Sequence, residues 1–354
     1  MKKYNFSPGP AKLNDSILEI AKDNILEFEN TGLSILEISH RSDSFQHILE
    51  NTKENLKNLL NIPSNYHILF LQGGATFQNT FIASNINEKK PLTNLITGTW
   101  GKKTYDDFSK IRNVEKIILN NSQIEEFIEG QVIKSSKESS LMHITSNETI
   151  EGIQIRNFNQ INSDLIIDSS SDIGSYNFDW TNVAYLYAGA QKNLGIPGVT
   201  ISVIRDDFIE VNENPTYLNL KNLNDKDSLL NTPPTFSIYI LKLVTDWMLN
   251  SGGVQYFEKQ SVESSTAVYS LLEKYNQYVR IPASKYSRSK MNIVFNFINE
   301  NHEELFIKKS LENNIIGIKG HRSVGGIRVS LYNSIDKSSL KYLLNFMDTF
   351  FKEL

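Results

Sequence analysis

Short apolar runs recur along the first two-thirds of the chain and alternate with longer amphipathic stretches. The short runs are rich in branched and aromatic side chains, which is typical of strands buried on both faces. They cover Tyr66 to Gln72, Leu92 to Thr97, Leu141 to Thr145, Asp164 to Asp168, Val183 to Ala188 and Val199 to Ile204. The amphipathic stretches, such as Phe45 to Leu60 and Phe77 to Ile86, have helical spacing. This alternation predicts a mostly parallel α/β sheet with helices on both faces.

A second, smaller unit is predicted towards the C-terminal end. A helical pattern runs from Gly252 to about Tyr275, and the strand candidates Met291 to Ile298 and Ile327 to Leu331 follow it. A chain of 354 residues exceeds the usual length of one domain. The predicted division is a large domain over residues 14–260 and a small α/β domain over residues 261–354, with residues 1–13 packing against the small one.

Composition removes several classes of function. The 36 basic residues are spread among 40 acidic ones without a basic run, so nucleic acid is not an expected partner. The start, MKKYNFSPGP, lacks the apolar core of a signal peptide, and no stretch approaches the roughly 18 to 20 apolar residues of a membrane span. We therefore expect a cytoplasmic protein without a membrane partner. The absence of cysteine excludes thiolate nucleophiles, and His302 lacks a second histidine at metal-binding spacing, so no metal is expected.

Lys192 is the first candidate for chemistry. It follows a buried apolar run and stands among Gly189, Gly195 and Gly198, which allow other groups to approach the backbone closely. The carboxyl edge of a parallel sheet is where such folds bind ligands, and desolvation there would lower the pKa of Lys192. A neutral amine is available for Schiff-base chemistry. The alternative is an ordinary solvated loop lysine.

Asp168 is delivered to the same edge by the apolar run Asp164 to Asp168. A carboxylate there needs a partner, because burying an unpaired charge is unfavourable. A protonated pyridine nitrogen would be one such partner. A structural cap for the turn of Ser169 to Ser171 explains the residue about as well.

Two further patterns suggest anion binding. The segment from Leu69 to Gln78 places a glycine pair between a strand and a helix, and backbone amides at a helix start bind phosphate, although a purely structural turn is the simpler explanation. The pairs His40-Arg41 and His321-Arg322, with Arg328 after a glycine pair, suit carboxylate or phosphate capture. Each His-Arg pair alone is more often a surface ion-pairing site.

Taken together, these segments resemble the phosphoserine aminotransferases, a group of fold-type I, class V enzymes that depend on pyridoxal 5'-phosphate. The resemblance runs nearly the whole length and rests on motifs in the order of that family. The motifs are NFSPGPA at the start, EISHR at Glu37 to Arg41, NETIEGI at Asn147 to Ile153, YAGAQKNLG at Tyr187 to Gly195, NTPPTF at Asn231 to Phe236 and KGHRSVGGIR at Lys319 to Arg328.

The resemblance implies roles for the cofactor site. Lys192 would carry the cofactor covalently, Asp168 would pair with the pyridine nitrogen and Trp100 would stack on the ring. Thr149 and Gln191 would contact its polar edge.

The same resemblance implies an active site shared within a homodimer. Ala75 and Thr76 would hold the cofactor phosphate, together with Asn231 and Thr232 of the partner subunit. Some family members carry an arginine at the position of Thr76, which leaves open how much positive charge faces the substrate.

For the substrate, the resemblance assigns Arg328 to the α-carboxylate. His40, Arg41, His321 and Arg322 would face the phosphate or side-chain carboxylate. The implied reaction is amino transfer from glutamate to 3-phosphohydroxypyruvate, a step of serine biosynthesis, and the phosphorylated threonine of vitamin B6 synthesis stays open as a second substrate. The alternatives are another class V enzyme, such as an alanine-glyoxylate or serine-pyruvate aminotransferase, and a non-catalytic α/β binding module.

Overall fold

The computed structural model describes residues 3–136 and 140–354. Its strands are β1 (Tyr4–Asn5), β2 (Tyr66–Leu71), β3 (Leu92–Ile96), β4 (Glu115–Ile118), β5 (Leu141–Thr145), β6 (Asn147–Glu148), β7 (Ile153–Gln154), β8 (Asp164–Asp168), β9 (Val183–Gly189), β10 (Thr200–Arg205), β11 (Val279–Arg280), β12 (Asn292–Phe297), β13 (Ile315–Ile316) and β14 (Ile327–Ser330). Its α-helices are α1 (Asp15–Leu26), α2 (Asp43–Leu60), α3 (Gly74–Asn85), α4 (Thr99–Ile111), α5 (Asn121–Ile128), α6 (Leu220–Asp225), α7 (Thr235–Asn250), α8 (Gly253–Lys274), α9 (Glu300–Glu312) and α10 (Lys337–Lys352).

The central sheet has the strand order β2-β10-β9-β8-β5-β3-β4. The pairs from β9 to β4 are parallel, whereas β10 is antiparallel to both β9 and β2. Strand β2 therefore runs in the same direction as β9. The carboxyl ends of β2, β9, β8, β5, β3 and β4 lie at one edge, which confirms the predicted mostly parallel sheet.

Alternate side chains of β2 show how both faces of this sheet are covered. Ile68 and Phe70 belong to a buried cluster that includes α2 and α7, whereas Leu69 and Leu71 belong to a second cluster with α3 and α4. Successive strand residues point to opposite faces, so an unbroken apolar run is what a sheet between two helical layers requires. Burying each such side chain contributes about 1.5 to 3 kcal/mol.

A third cluster surrounds the smaller sheet, whose order is β11-β12-β14, and includes residues of α9 and α10. Phe6 is buried in it, and the neighbouring β1 pairs in parallel with β13. Helix α8 joins the clusters, because Phe257 packs in the first and Leu272 in the third. The predicted domain boundary at residue 260 falls inside α8, and the division into domains stays a proposal.

Candidate active site

A cavity of about 870 Å³ lies at the carboxyl edge of the central sheet. Its walls come from the segments that follow β2, β3, β5, β8 and β9, together with residues of the N-terminal segment and of the chain around β14. Among the residues predicted from the sequence, those that line the cavity are Ala75, Thr76, Trp100, Thr149, Asp168, Gln191, Lys192, His321 and Arg328. The fold thus brings together residues that are distant in sequence, as expected for an open α/β sheet.

Lys192 and Asp168 are two titratable residues of the cavity, and each affects the pKa of the other. Burial lowers the pKa of Lys192, and the nearby Asp168 carboxylate opposes that change. Burial raises the pKa of Asp168, whereas hydrogen bonding by Ser170 and the charge of Lys192 lower it.

Asp168 also has a structural function that the sequence allowed as an alternative. Its Oδ1 accepts the backbone N–H of Ser170 at 2.9 Å, so the side chain caps the turn after β8. The same carboxylate lines the cavity, and capping with one oxygen is compatible with a second partner. Its pairing with the cofactor therefore stays a prediction.

Trp100 is held at the start of α4 by several hydrogen bonds. Its indole Nε1 donates to the Thr149 hydroxyl at 2.8 Å. The carboxylate of Glu148 accepts the backbone N–H of Trp100 and that of Gly101, each at 2.8 Å. Glu151 accepts the backbone N–H of Thr99 at 3.0 Å and its hydroxyl at 2.5 Å. The first turn of α4 is thus capped by two acidic side chains, one from β6 and one from the turn after it.

Gly98 leaves the space that these carboxylates occupy. A Cβ atom there would lie 2.7 Å from Cγ and Cδ of Glu148 and 2.7 Å from Oε2 of Glu151. Burial raises the pKa of Glu148 to about 8, and the charge of Glu151 acts in the same direction. Sequence reasoning missed both glutamates as part of the site, because 47 or more positions separate them from the residues whose N–H groups they accept.

Helix α3 begins at the same edge of the cavity but is capped differently. Its N-cap residue is Gly73, and among the described residues no side chain accepts a hydrogen bond from its first turn in the manner of an N-cap. The first amides of a helix have no partner within it, and the helix dipole makes them attractive to anions. Ala75 and Thr76 lie in this turn and line the cavity, so the site suits a phosphate group.

Arg328 is a buried cation facing the cavity from β14. It is 7% exposed, and across residues 3–136 and 140–354 its Nε finds no hydrogen-bond partner. Thr145 Oγ1, which also lines the cavity, is likewise unpartnered in that part of the chain. A buried guanidinium N–H without an acceptor is unfavourable, and an anion entering the cavity would satisfy it.

His321 lines the cavity, and one of its ring nitrogens already accepts a hydrogen bond. Its Nδ1 accepts the backbone N–H of Ser323 at 3.2 Å, which places the proton of the neutral ring on Nε2. Partial burial lowers the pKa of His321, and the charges of Arg328, Lys103 and Arg322 lower it further. Several cations therefore converge on this side of the cavity.

The remaining predicted residues do not line the cavity of the single chain. They are His40, Arg41, Asn231, Thr232 and Arg322. Thr232 lies close to the start of α3, because its carbonyl accepts from Gln72 Nε2 at 2.9 Å. Arg41 lies on the surface after α1, and Arg322 lies in the exposed turn before β14.

The N-terminal segment contributes to the site more than its sequence indicated. Pro8, Gly9 and Pro10 line the cavity, and the Ala11 N–H donates to the carbonyl of Gln191 at 2.9 Å. The sequence predicted that residues 1–13 pack against the small domain and did not place them at the site. Within the described ranges no cluster of acidic or histidine side chains could hold a metal ion, and no helix is long and apolar enough to cross a membrane.

Comparison with known proteins gives matches along the whole chain. The Aminotransferase class-V family matches residues 3–343. The phosphoserine aminotransferase of Streptococcus agalactiae is 40% identical over 363 residues, covering 99% of either chain. A solved phosphoserine aminotransferase from Bacillus circulans subsp. alkalophilus is 34% identical, with a TM-score of 0.93 over 99% of each chain. A PLP-bound phosphoserine aminotransferase from Trichomonas vaginalis is 28% identical, with a TM-score of 0.90 over 98% of this chain and 99% of that one. With this coverage and identity, the chain belongs to the class-V aminotransferase family.

Proposed function

We propose that this protein is a pyridoxal-phosphate-dependent aminotransferase that moves the amino group of glutamate to 3-phosphohydroxypyruvate. The products are phosphoserine and 2-oxoglutarate, and the reaction is a step of serine biosynthesis. Relatives that match over nearly their whole length carry the name of this activity. The single observation within the chain that supports it best is that one cavity is lined by Lys192, by the buried Arg328 and by the uncapped start of α3.

The residues present fit pyridoxal phosphate. The uncapped first turn of α3, with Ala75 and Thr76, would hold its phosphate. Asp168 and Trp100 would contact its ring, and Thr149 and Gln191 its polar edge. When bound, the group supplies an electron-accepting ring linked to the amine being transferred.

Lys192 would move the proton of the reaction. Burial lowers its pKa, so its amine is neutral in a larger fraction of molecules than that of a solvated lysine. A neutral amine can take the proton from the substrate α-carbon as a general base, and the resulting ammonium can return it as a general acid. Asp168 stays close enough to stabilise the ammonium form during this exchange, since its charge raises the pKa of Lys192.

The two anionic ends of the substrate would be held by different cations. Arg328 would bind the α-carboxylate, because it is a buried arginine of the cavity and its Nε lacks an acceptor among the described residues. His321 would donate from Nε2 to the phosphate or side-chain carboxylate, and Arg322 beside it would add charge. His40 and Arg41 would reach the same end from the partner subunit.

The rival class V activities use substrates without a phosphate. An alanine-glyoxylate or serine-pyruvate aminotransferase needs a cation for the α-carboxylate but none for a second anionic end. Lys103, His321 and Arg328 line the cavity, and Arg322 follows His321 in the exposed turn, so more cations lie here than one α-carboxylate needs, which favours a doubly anionic substrate. A non-catalytic binding module would leave the amine of Lys192 without a function.

The activity and the cofactor residue can be tested on one purified protein. Incubation with pyridoxal phosphate, borohydride reduction and peptide mapping should place the pyridoxyl group on Lys192. The variant Lys192→Ala should fold, lose the label and lose transamination between phosphoserine and 2-oxoglutarate. A label on another lysine would remove Lys192 from the mechanism, and wild-type protein that transaminates alanine or serine but not phosphoserine would overturn the proposed substrate.

A homodimer with shared active sites is part of the proposal. Leu18, Ile20, Leu26, Leu33 and Leu36 are 44 to 78% exposed and lie in one segment of α1 and the following loop. Exposed apolar side chains grouped in this way are typical of a protein interface. His40 and Arg41 directly follow this segment, so a second copy docked here would carry them towards a neighbouring cavity.

Mixing two inactive variants tests the shared site. In a dimer of Lys192→Ala with Arg41→Ala, one site would combine the intact Lys192 and the intact Arg41. Random reassociation of equal amounts should restore about a quarter of wild-type activity, since half the dimers are mixed and each has one intact site of two. Activity that stays at the average of the two variants would show that Arg41 acts within its own chain.

A further inference from the structure

Lys103 is a cation of the cavity that the proposed mechanism does not use. It lies one turn after Trp100 on the same face of α4, and its ammonium is 4.3 Å from the centroid of the Trp100 ring. The distance is within the range of a cation–π contact. Lys103 also lines the cavity, together with His321 and Arg328.

The charges around Lys103 set it apart from the other lysines of α4. Lys102 forms an ion pair with Asp106 at 2.6 Å, and Lys110 forms one with Asp107 at 3.2 Å. Through residues 3–136 and 140–354, no carboxylate pairs with Lys103. Its charge is instead felt by His321, whose pKa it lowers together with Arg328 and Arg322. A lysine that lines the cavity and has no carboxylate partner among the described residues is suited to an anionic ligand.

The chemistry of the substrate identifies that anion. A phosphate ester carries a charge of about −1.5 to −2 at neutral pH, whereas the γ-carboxylate of glutamate carries a single charge. Arg328 is committed to the α-carboxylate, and Thr76 at the start of α3 is uncharged. Lysine binds phosphate as a point charge on a flexible stem, so it does not require a fixed bidentate geometry.

We propose that Lys103 is a specificity-determining residue that contacts the phosphate of the substrate and so favours phosphoserine over glutamate. This inference rests on the proposed function. The ammonium stays against Trp100 in the free protein, and the phosphate end of the substrate draws it into the mouth of the cavity beside His321.

The test measures single-turnover conversion of the holoenzyme separately by phosphoserine and by glutamate, followed through the absorbance of the bound cofactor. Lys103→Met should lower the ratio of rate to dissociation constant for phosphoserine by about tenfold, the loss of one charge-assisted contact. The glutamate value should fall much less. Lys103→Arg should recover most of the phosphoserine value, because the charge is restored.

Lys102→Met is the matched control, since it removes a neighbouring exposed lysine with a carboxylate partner of its own. Both of its values should stay within about twofold of wild type. Equal losses on both donors in Lys103→Met, or a changed absorbance spectrum before substrate is added, would show that Lys103 only supports Trp100 and would overturn the inference. If glutamate converts the wild-type holoenzyme but phosphoserine does not, the proposed function is wrong. If the wild type reacts with both donors and Lys103→Met reacts equally well, only this inference is wrong.

Discussion

The buried carboxylate of Glu148 leads to a quantitative prediction about stability. Burial raises the pKa of Glu148 from 4.5 to about 8, and Glu151 acts in the same direction, although the backbone N–H groups of Gly101 and Trp100 lower it. A carboxyl group with a higher pKa in the folded than in the unfolded chain binds its proton more tightly when folded. Its contribution to the free energy of unfolding is fully present below pH 4.5 and is lost as the pH rises towards 8.

The size of the effect follows from proton linkage. Inside this window, each pH unit changes the free energy of unfolding by about 1.4 kcal/mol for one proton. Between pH 5 and pH 7 the loss through Glu148 should therefore be about 3 kcal/mol. The variant Glu148→Gln cannot titrate at this position, so its free energy of unfolding should gain about that amount relative to wild type over the same interval.

Urea unfolding at several pH values measures the difference. Cofactor binding and subunit association both shift apparent stability, so the comparison requires cofactor-free protein at a single concentration. Glu300→Gln, at the exposed start of α9, corrects for the general effect of removing one carboxylate. If the difference between Glu148→Gln and wild type is the same at pH 5 and pH 7, Glu148 is ionised throughout, and the two amides of α4 outweigh its burial.

Three further changes test other parts of the structure. Asp168→Asn should lower turnover far more than cofactor affinity, because an amide fills the space but cannot keep a pyridine nitrogen protonated; wild-type turnover would mean that Asp168 is only a turn cap. Arg328→Ala should weaken phosphoserine and serine by a similar factor, roughly 30-fold or more, since both present the same α-carboxylate, and specificity constants that diverge between the two donors would contradict this assignment. Gly317→Ala should destabilise the fold by about 3 kcal/mol in thermal unfolding, because its φ is +81° and a Cβ would lie 2.5 Å from the backbone nitrogen of Ser7; an unchanged Tm would show that the N-terminal segment can move away without loss.

The buried strands were the most predictable part of the fold. Strands β5 and β8 match the predicted runs residue for residue, because strands covered on both faces are apolar throughout and end where polarity returns. Helix starts were less predictable. Helix α3 begins at Gly74, before the predicted Phe77, since its first turn faces the cavity and has no amphipathic pattern. The sequence did not indicate that β10 runs antiparallel to its neighbours, because side chains alternate between the two faces of a strand in either direction.

Within the site, sequence reasoning selected residues whose side chains suit only a few reactions, such as Lys192 and Asp168. It missed Lys103, because a lysine on an amphipathic helix is usually a solvated residue and only the fold shows which cations lack a partner. His40 and Arg41 were selected by type and resemblance, yet the chain alone does not bring them to the cavity. Residue type predicts what a side chain can do, and the partner that it meets depends on the fold.

The two helices that begin at the cavity edge show most clearly what local sequence does not predict. Both α3 and α4 follow a strand and have a glycine at the N-cap, so local sequence predicts an anion site at either. In α4 the first amides are already occupied by Glu148 of β6 and by Glu151 in the turn after it. An external phosphate there would find these amides occupied by two acidic side chains, whereas the first turn of α3 has no side-chain cap. The fold therefore leaves the first turn of α3 without a side-chain cap, as the proposed phosphate site requires, and fixes the start of α4 beside Trp100 through a glutamate pair distant in sequence.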